Sequence, residues 1–186
     1  MTESAQTLQQ FDTQLAACRQ IFVQKLRDYG ASWSILRLPS ITDQIFIKAR
    51  RIRSIEEKNS NKVGESIEES LRGIVNYCIM AVLLARREVR ATPEQPLAEE
   101  DLPFLEQRYD AVVAEARQLL ARKNHDYGEA WRAMRPASYT DLMLVKILRI
   151  RQMETHPEDE IQSEGADSNY LDVLNYAVFY LITLSE

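Results

Sequence analysis

Two stretches of this 186-residue sequence set the same four side chains in the same order: Lys25, Asp28, Tyr29, Gly30 and Lys123, Asp126, Tyr127, Gly128. A glycine suits a left-handed helix end. An aspartate in the last turn does not, because a carboxylate there opposes the helix dipole by some tenths of a kcal/mol. Its repetition points to a nearby cation, a metal or a buried partner, which makes Asp126 a candidate catalytic group. Lys48 and Arg51, and again Lys146 and Arg149, stand three residues apart and so share one side of a helix. Lys48 falls at the edge of an apolar face, where a phosphate or a buried carboxylate suits a cation; a solvated charged face is the plainer reading. Ser40-Ile41-Thr42-Asp43 and Ser138-Tyr139-Thr140-Asp141 read as helix starts of the capping-box kind. A cap explains both aspartates, and Asp141 is carried as a second catalytic candidate.

The densest acidic set is Glu164, Asp167, Asp172 and Asn175. At about 100° per residue they span an arc of about 140° on one helix face. Crowded carboxylates repel unless cations intervene, and Mg²⁺ takes oxygen ligands of this kind together with substrate phosphates. Glu164, Asp167 and Asp172 are therefore the candidate metal ligands; the alternatives are a solvated face or salt bridges to the lysines and arginines. The corresponding first-half set is Glu65, Glu68, Glu69 and Asn76, with Gly73 in place of Asp172. On that difference the second half is expected to hold the complete site. His125 and His156 lack metal-ligand spacing, and the chain has no Gly-rich phosphate loop, GxSxG or CxxC motif.

What positions these groups is a tandem duplication. Residues 25–56 laid over 123–154 share 14 of 32 positions, where unrelated segments share about two. The offset then grows from 98 to 99, pairing Asn76-Tyr77 with Asn175-Tyr176. Phe11, Leu15, Cys18 and Phe22, and Leu105, Tyr109, Val112, Ala116 and Leu119, recur at helical spacing. A second helix follows each capping signal. The third starts near Glu65 or Glu164 and is nearly all apolar beyond its asparagine, as befits the middle of a bundle. No stretch alternates like a strand. The expected fold is all-α: two three-helix repeats over 1–89 and 102–186, joined by a linker over 90–101, packed as a pseudo-twofold bundle with one joint core.

With 23 basic and 28 acidic residues the net charge is -5, which argues against general nucleic-acid binding. Two cysteines, Cys18 and Cys78, are too few for a disulfide framework. No apolar run is long enough for a membrane span, and the polar first ten residues show no signal pattern. A cytoplasmic protein, possible as a homo-oligomer, is expected.

The combined pattern Lys-x-x-Asp-Tyr-Gly-x-x-Trp, Ser-x-Thr-Asp-x-x-x-x-Lys-x-x-Arg and Asn-Tyr resembles the bacterial and phage family called nucleotide modification associated domain 1, in its two-copy form. A more distant resemblance is to the all-α nucleoside triphosphate pyrophosphatases of the MazG and dimeric dUTPase type, through Glu65-x-x-Glu68 and Glu164-x-x-Asp167. These resemblances imply a nucleotide ligand and a Mg²⁺-dependent pyrophosphohydrolase. Lys25, Lys48, Arg51, Lys123, Lys146 and Arg149 would then bind phosphate, and Tyr127 or Trp131 would stack on a base. The rivals are a non-catalytic nucleotide-binding module and a structural protein whose repeated charges only pair the two halves.

Overall fold

The computed structural model describes residues 3–62, 64–156 and 165–186, which form six long helices and no sheet. The first repeat supplies α1 (Glu3–Tyr29), α2 (Leu38–Lys58) and α3 (Ile67–Ala85). The second supplies α4 (Leu102–Tyr127), α5 (Pro136–Thr155) and α6 (Ala166–Ser185). Short 3-10 turns carry Trp33 and Trp131 between the first and second helix of each repeat. Helices α1 and α4 stop where the chain turns left-handed at Gly30 and Gly128, with φ of 63° and 61°, a conformation that costs glycine nothing.

The helix starts differ from the sequence reading. Helices α2 and α5 begin after Arg37 and Arg135, before either Ser-x-Thr-Asp motif, and neither N-cap side chain makes a capping bond. Pro39 and Pro136 lie in the first turn, where a fixed φ and a missing N–H favour helix initiation. Ser40 and Ser138 are therefore inside their helices. The capping box is found instead at α3, where Glu69 N–H donates to Ser66 Oγ at 3.0 Å and Ser66 N–H donates to Glu69 Oε2 at 2.6 Å.

Helices α3 and α6 run through the middle, buried on nearly all sides. They are antiparallel: Asp167 at the start of α6 meets Arg86 at the end of α3, at 2.9 Å. The pair α2 and α5 covers one side and α1 with α4 the other, and a single apolar cluster draws on all six helices. Full burial contributes about 1.5–3 kcal/mol for each large side chain, and the cluster includes Phe11, Ile45, Leu71, Tyr109, Ile147 and Leu174 at 0 % exposure.

The repeats meet about a pseudo-twofold axis at the α2–α5 crossing. Thr42 donates to Glu154 at 2.6 Å, and Thr140 donates to Glu56 at 2.8 Å. Arg53 lies 3.6 Å from Asp141, and Arg151 lies 3.5 Å from Asp43. A two-fold contact is self-complementary and needs the same residues twice. Asp43 and Asp141 are thus surface partners of arginines on the other repeat.

Candidate functional site

Each repeat forms a cleft at the same place, between its first helix, its tryptophan turn and its third helix. The first-repeat cleft has a volume of about 540 Å³, within the range of small-molecule sites. Lys25 from α1, Lys48 from α2 and Arg72 from α3 bring positive charge to it, and Trp33 and Tyr77 bring aromatic surface. The second-repeat cleft measures only about 140 Å³ and is lined by Lys123, Trp131, Asp172, Asn175, Tyr176 and Phe179 among others.

Helix α3 carries Gly73 at the floor of the first cleft. A Cβ added there would lie 2.8 Å from Lys48 Cε, so the lysine chain rests on the glycine. Lys48 Nζ donates to Glu65 Oε1 at 3.1 Å, and Ser70 Oγ donates to the same oxygen at 2.9 Å. Burial pushes the Glu65 carboxyl up, but Ser70 and Lys48 outweigh it and hold it below its usual range. Arg72 donates to Glu68 at 2.5 Å, while its buried Nε finds no acceptor among the described residues. Lys25 pairs with no carboxylate among the described residues and stands exposed at the rim.

The second cleft carries the same lysines with the charge already answered. Asp172 occupies the position of Gly73, and its side chain is 10 % exposed. Lys123 donates to Oδ1 at 2.6 Å and Lys146 approaches Oδ2 at 2.8 Å. Burial pushes the Asp172 carboxyl up; the two ammonium groups overcome that and hold it below its usual value. Phe179 stacks on Trp131 at 4.3 Å between ring centroids and 11° between planes, and the Arg132 guanidinium lies 4.3 Å from the same tryptophan. The first repeat has Met80 and Ser34 at those two positions.

The structure thus brings Lys25 and Lys48 together in one cleft, and Lys123 and Lys146 around one carboxylate. It does not bring Arg51 to the cleft. That guanidinium donates to Ser70 Oγ at 2.6 Å, to Asn61 Oδ1 at 3.1 Å and to the Glu65 carbonyl, fastening the α2–α3 connection. Arg149 is its counterpart on α5 and likewise is not among the residues lining the second cleft. Asp126 is exposed at the end of α4 beside His125, whose Nδ1 is 3.1 Å away. Asp141 faces Arg53 across the repeat boundary, outside both clefts. Trp131 is covered by Phe179 and Arg132. Glu164 and the Tyr127 side chain lie outside the described residues.

Two of the three carboxylates expected for Mg²⁺, Asp167 and Asp172, are placed in ion pairs. Asp172 is capped by two lysines and Asp167 by Arg86, so a hard cation at either would have to displace them. Glu68 opens α3 and Asp167 lies at its far end beside Arg86. At 1.5 Å per residue those ends are roughly 27 Å apart, so the packing does not bring Glu68 to Asp167. Among the described residues, no group of three or more His, Cys, Asp or Glu side chains stands ready for a metal ion.

The model of the family described as nucleotide modification associated domain 1 matches residues 25–84 and again residues 123–184. The chain belongs to that family. Each match begins at the repeated cleft lysine, Lys25 or Lys123, and takes in the tryptophan turn and the second and third helices. No curated protein and no solved structure matches the chain. In this two-copy member of the nucleotide modification associated domain 1 family, residues that distinguish the clefts were missed by sequence reasoning. They are Arg72 against Leu171 and Met80 against Phe179. Their signal lies in the differences between the repeats, at positions beside the Gly73/Asp172 exchange.

Proposed function

We propose that this protein binds a nucleotide phosphate in the first-repeat cleft, and that it acts as a binding module. The supporting observation is the meeting of Lys25, Lys48 and Arg72 with Trp33 and Tyr77 in one cavity of about 540 Å³. Cations there suit phosphate oxygens, and Arg72 still has an unused donor. The aromatic wall suits a base. Family membership agrees with a nucleotide ligand. Hydrolysis is less well supported, because both lining carboxylates are committed: Glu65 to Lys48 and Ser70, and Glu69 to the α3 cap. A pyrophosphohydrolase would have to release one of them to Mg²⁺.

The test is calorimetry on the full chain with the ribo- and deoxyribonucleoside triphosphates, in EDTA and in Mg²⁺, with product analysis by chromatography. Binding in EDTA without turnover is expected, with Lys48→Ala and Arg72→Ala each weakening it about tenfold, or about 1.4 kcal/mol. No binding of any triphosphate in either condition refutes the reading. Turnover that requires Mg²⁺ would replace it with the hydrolase.

A further inference from the structure

We infer that the second repeat is a self-occupied copy of the first-repeat cleft, in which the Asp172 carboxylate holds the place that a phosphate oxyanion of the ligand takes over Gly73, between Lys25 and Lys48. The identity of the ligand rests on the nucleotide reading above; the position of the anion rests on geometry alone. In the second repeat one ammonium group meets each Asp172 oxygen, Lys123 at 2.6 Å and Lys146 at 2.8 Å. In the first repeat the same two lysines, Lys25 and Lys48, line a cleft whose floor at the matching position has no side chain. A Cβ at Gly73 would come within 2.8 Å of Lys48 Cε and 3.2 Å of its Nζ, so the lysine already lies over the glycine, its ammonium paired with Glu65 at 3.1 Å and within reach of an anion placed there.

The apolar part of the cleft repeats the relation. Phe179 lies flat on Trp131 at 4.3 Å, whereas the first repeat has Met80 facing the cavity with Trp33. An unbranched thioether adapts to a neighbouring ring. Arg72 adds a cation where the second repeat buries Leu171 at 3 % exposure. Three exchanges at matching positions therefore separate the larger cleft, floored by Gly73, from the smaller one, filled by Asp172 and Phe179. The chain carries one competent oxyanion site, and Gly73 is the residue that keeps it open.

The test places the second repeat's anion into the first. In Gly73→Asp the new carboxyl is followed by ¹³C NMR titration, and inorganic pyrophosphate binding is measured by calorimetry. The expected carboxyl midpoint is at least about one pH unit below the ordinary value near 4, returning towards it when Lys25→Met is added. Wild type binds one pyrophosphate per chain, and Gly73→Asp binds it about tenfold more weakly or worse. A carboxyl that titrates like a free aspartate, or unchanged pyrophosphate binding, overturns the inference. Should Gly73→Asp fail to fold, Asp172→Gly carries the test: a second bound pyrophosphate supports the inference and unchanged stoichiometry overturns it. Wild type that binds no nucleotide refutes the nucleotide reading alone, because the carboxyl titration needs no ligand.

Discussion

One substitution made in both repeats should have opposite effects. Asn76 and Asn175 stand at matching positions on α3 and α6, at 7 % and 4 % exposure. Asn76 is fully used: its Nδ2 donates to the Cys18 carbonyl at 3.0 Å, and Tyr109 of the other repeat donates to its Oδ1 at 2.8 Å. Both polar side-chain atoms of Asn175 are buried and make no hydrogen bond within the described structure. For Oδ1 the reason is in the sequence, since the residue matching Tyr109 in the first repeat is Phe11, which has no hydroxyl to donate. Leucine has nearly the shape of asparagine without its polar atoms. Asn76→Leu strands the Tyr109 hydroxyl in the core, at a cost of about 1–3 kcal/mol for an unsatisfied buried group. Asn175→Leu removes polar atoms that already lack partners, and should be neutral or stabilising by about 1 kcal/mol. For a chain of this length 1 kcal/mol moves Tm by about 2–4 °C, so the two variants should melt about 2 °C or more apart. Calorimetry without ligand reads this directly. Equal loss in both variants would refute the argument, because it would mean that Asn175 has a partner worth as much as Tyr109.

Two further outcomes follow from the ion pairs and the repeat boundary. Thr42→Val and Thr140→Val each remove the hydroxyl bonded to a glutamate of the other repeat, and should each lower the urea midpoint by an amount equal to about 1–2 kcal/mol. The pH dependence has two opposed parts. Asp172 and Glu115 have carboxyls held down, Asp172 by its lysines against burial and Glu115 by Arg86; their stabilisation is complete above the ordinary carboxylate values and is lost as pH falls through the depressed ones. Glu154 is pushed up by burial, against the bonds from Thr42 and Tyr170; its protonated form favours folding, and that stability is lost as pH rises through the folded value. Melting scans from pH 2 to 7 should show Asp172→Asn losing part of the acid limb, and Glu154→Gln gaining stability at pH 7 relative to wild type.

The architecture was legible because a duplication displays its own periodicity. Fourteen identities in 32 positions, with apolar residues at helical spacing, already require two helical units. The site was only half legible, because two different demands produce the same repetition. Thr42, Asp43, Arg53 and Glu56 recur because a two-fold contact must present each partner twice. Lys25 and Lys48 recur because the cleft recurs. Spacing cannot separate these cases, and so Asp141 could look like a catalytic group while serving as an arginine's surface partner. For the acidic set the neighbouring helices matter as much as the spacing. Helical angles place carboxylates on a face but say nothing of the lysines that neighbouring helices bring to that face. Asp172, expected as a metal ligand, meets Lys123 from α4 and Lys146 from α5. The expectation that the second half holds the fuller site rested on Asp172, and in the structure that same residue neutralises and fills the smaller cleft.

This asymmetry has an energetic consequence for a protein whose two repeats share one core. On the proposed reading, an anion bound in the first-repeat cleft, where Lys48 already pairs with Glu65, adds stability of RT ln(1 + [L]/Kd), about 2.7 kcal/mol at a hundredfold excess over Kd. In the second repeat the anion is covalently part of α6 and is present at every ligand concentration. The second repeat therefore answers both of its lysines with Asp172, whereas in the first Lys48 pairs with Glu65 and Lys25 has no carboxylate partner among the described residues. Because α3 packs along α6 and Tyr109 reaches from α4 to Asn76 at the wall of the open cleft, the completed repeat also braces the open one. Lys48, paired with Glu65, and the tryptophan turn are thus held in place, which on the proposed reading reduces the ordering cost of binding.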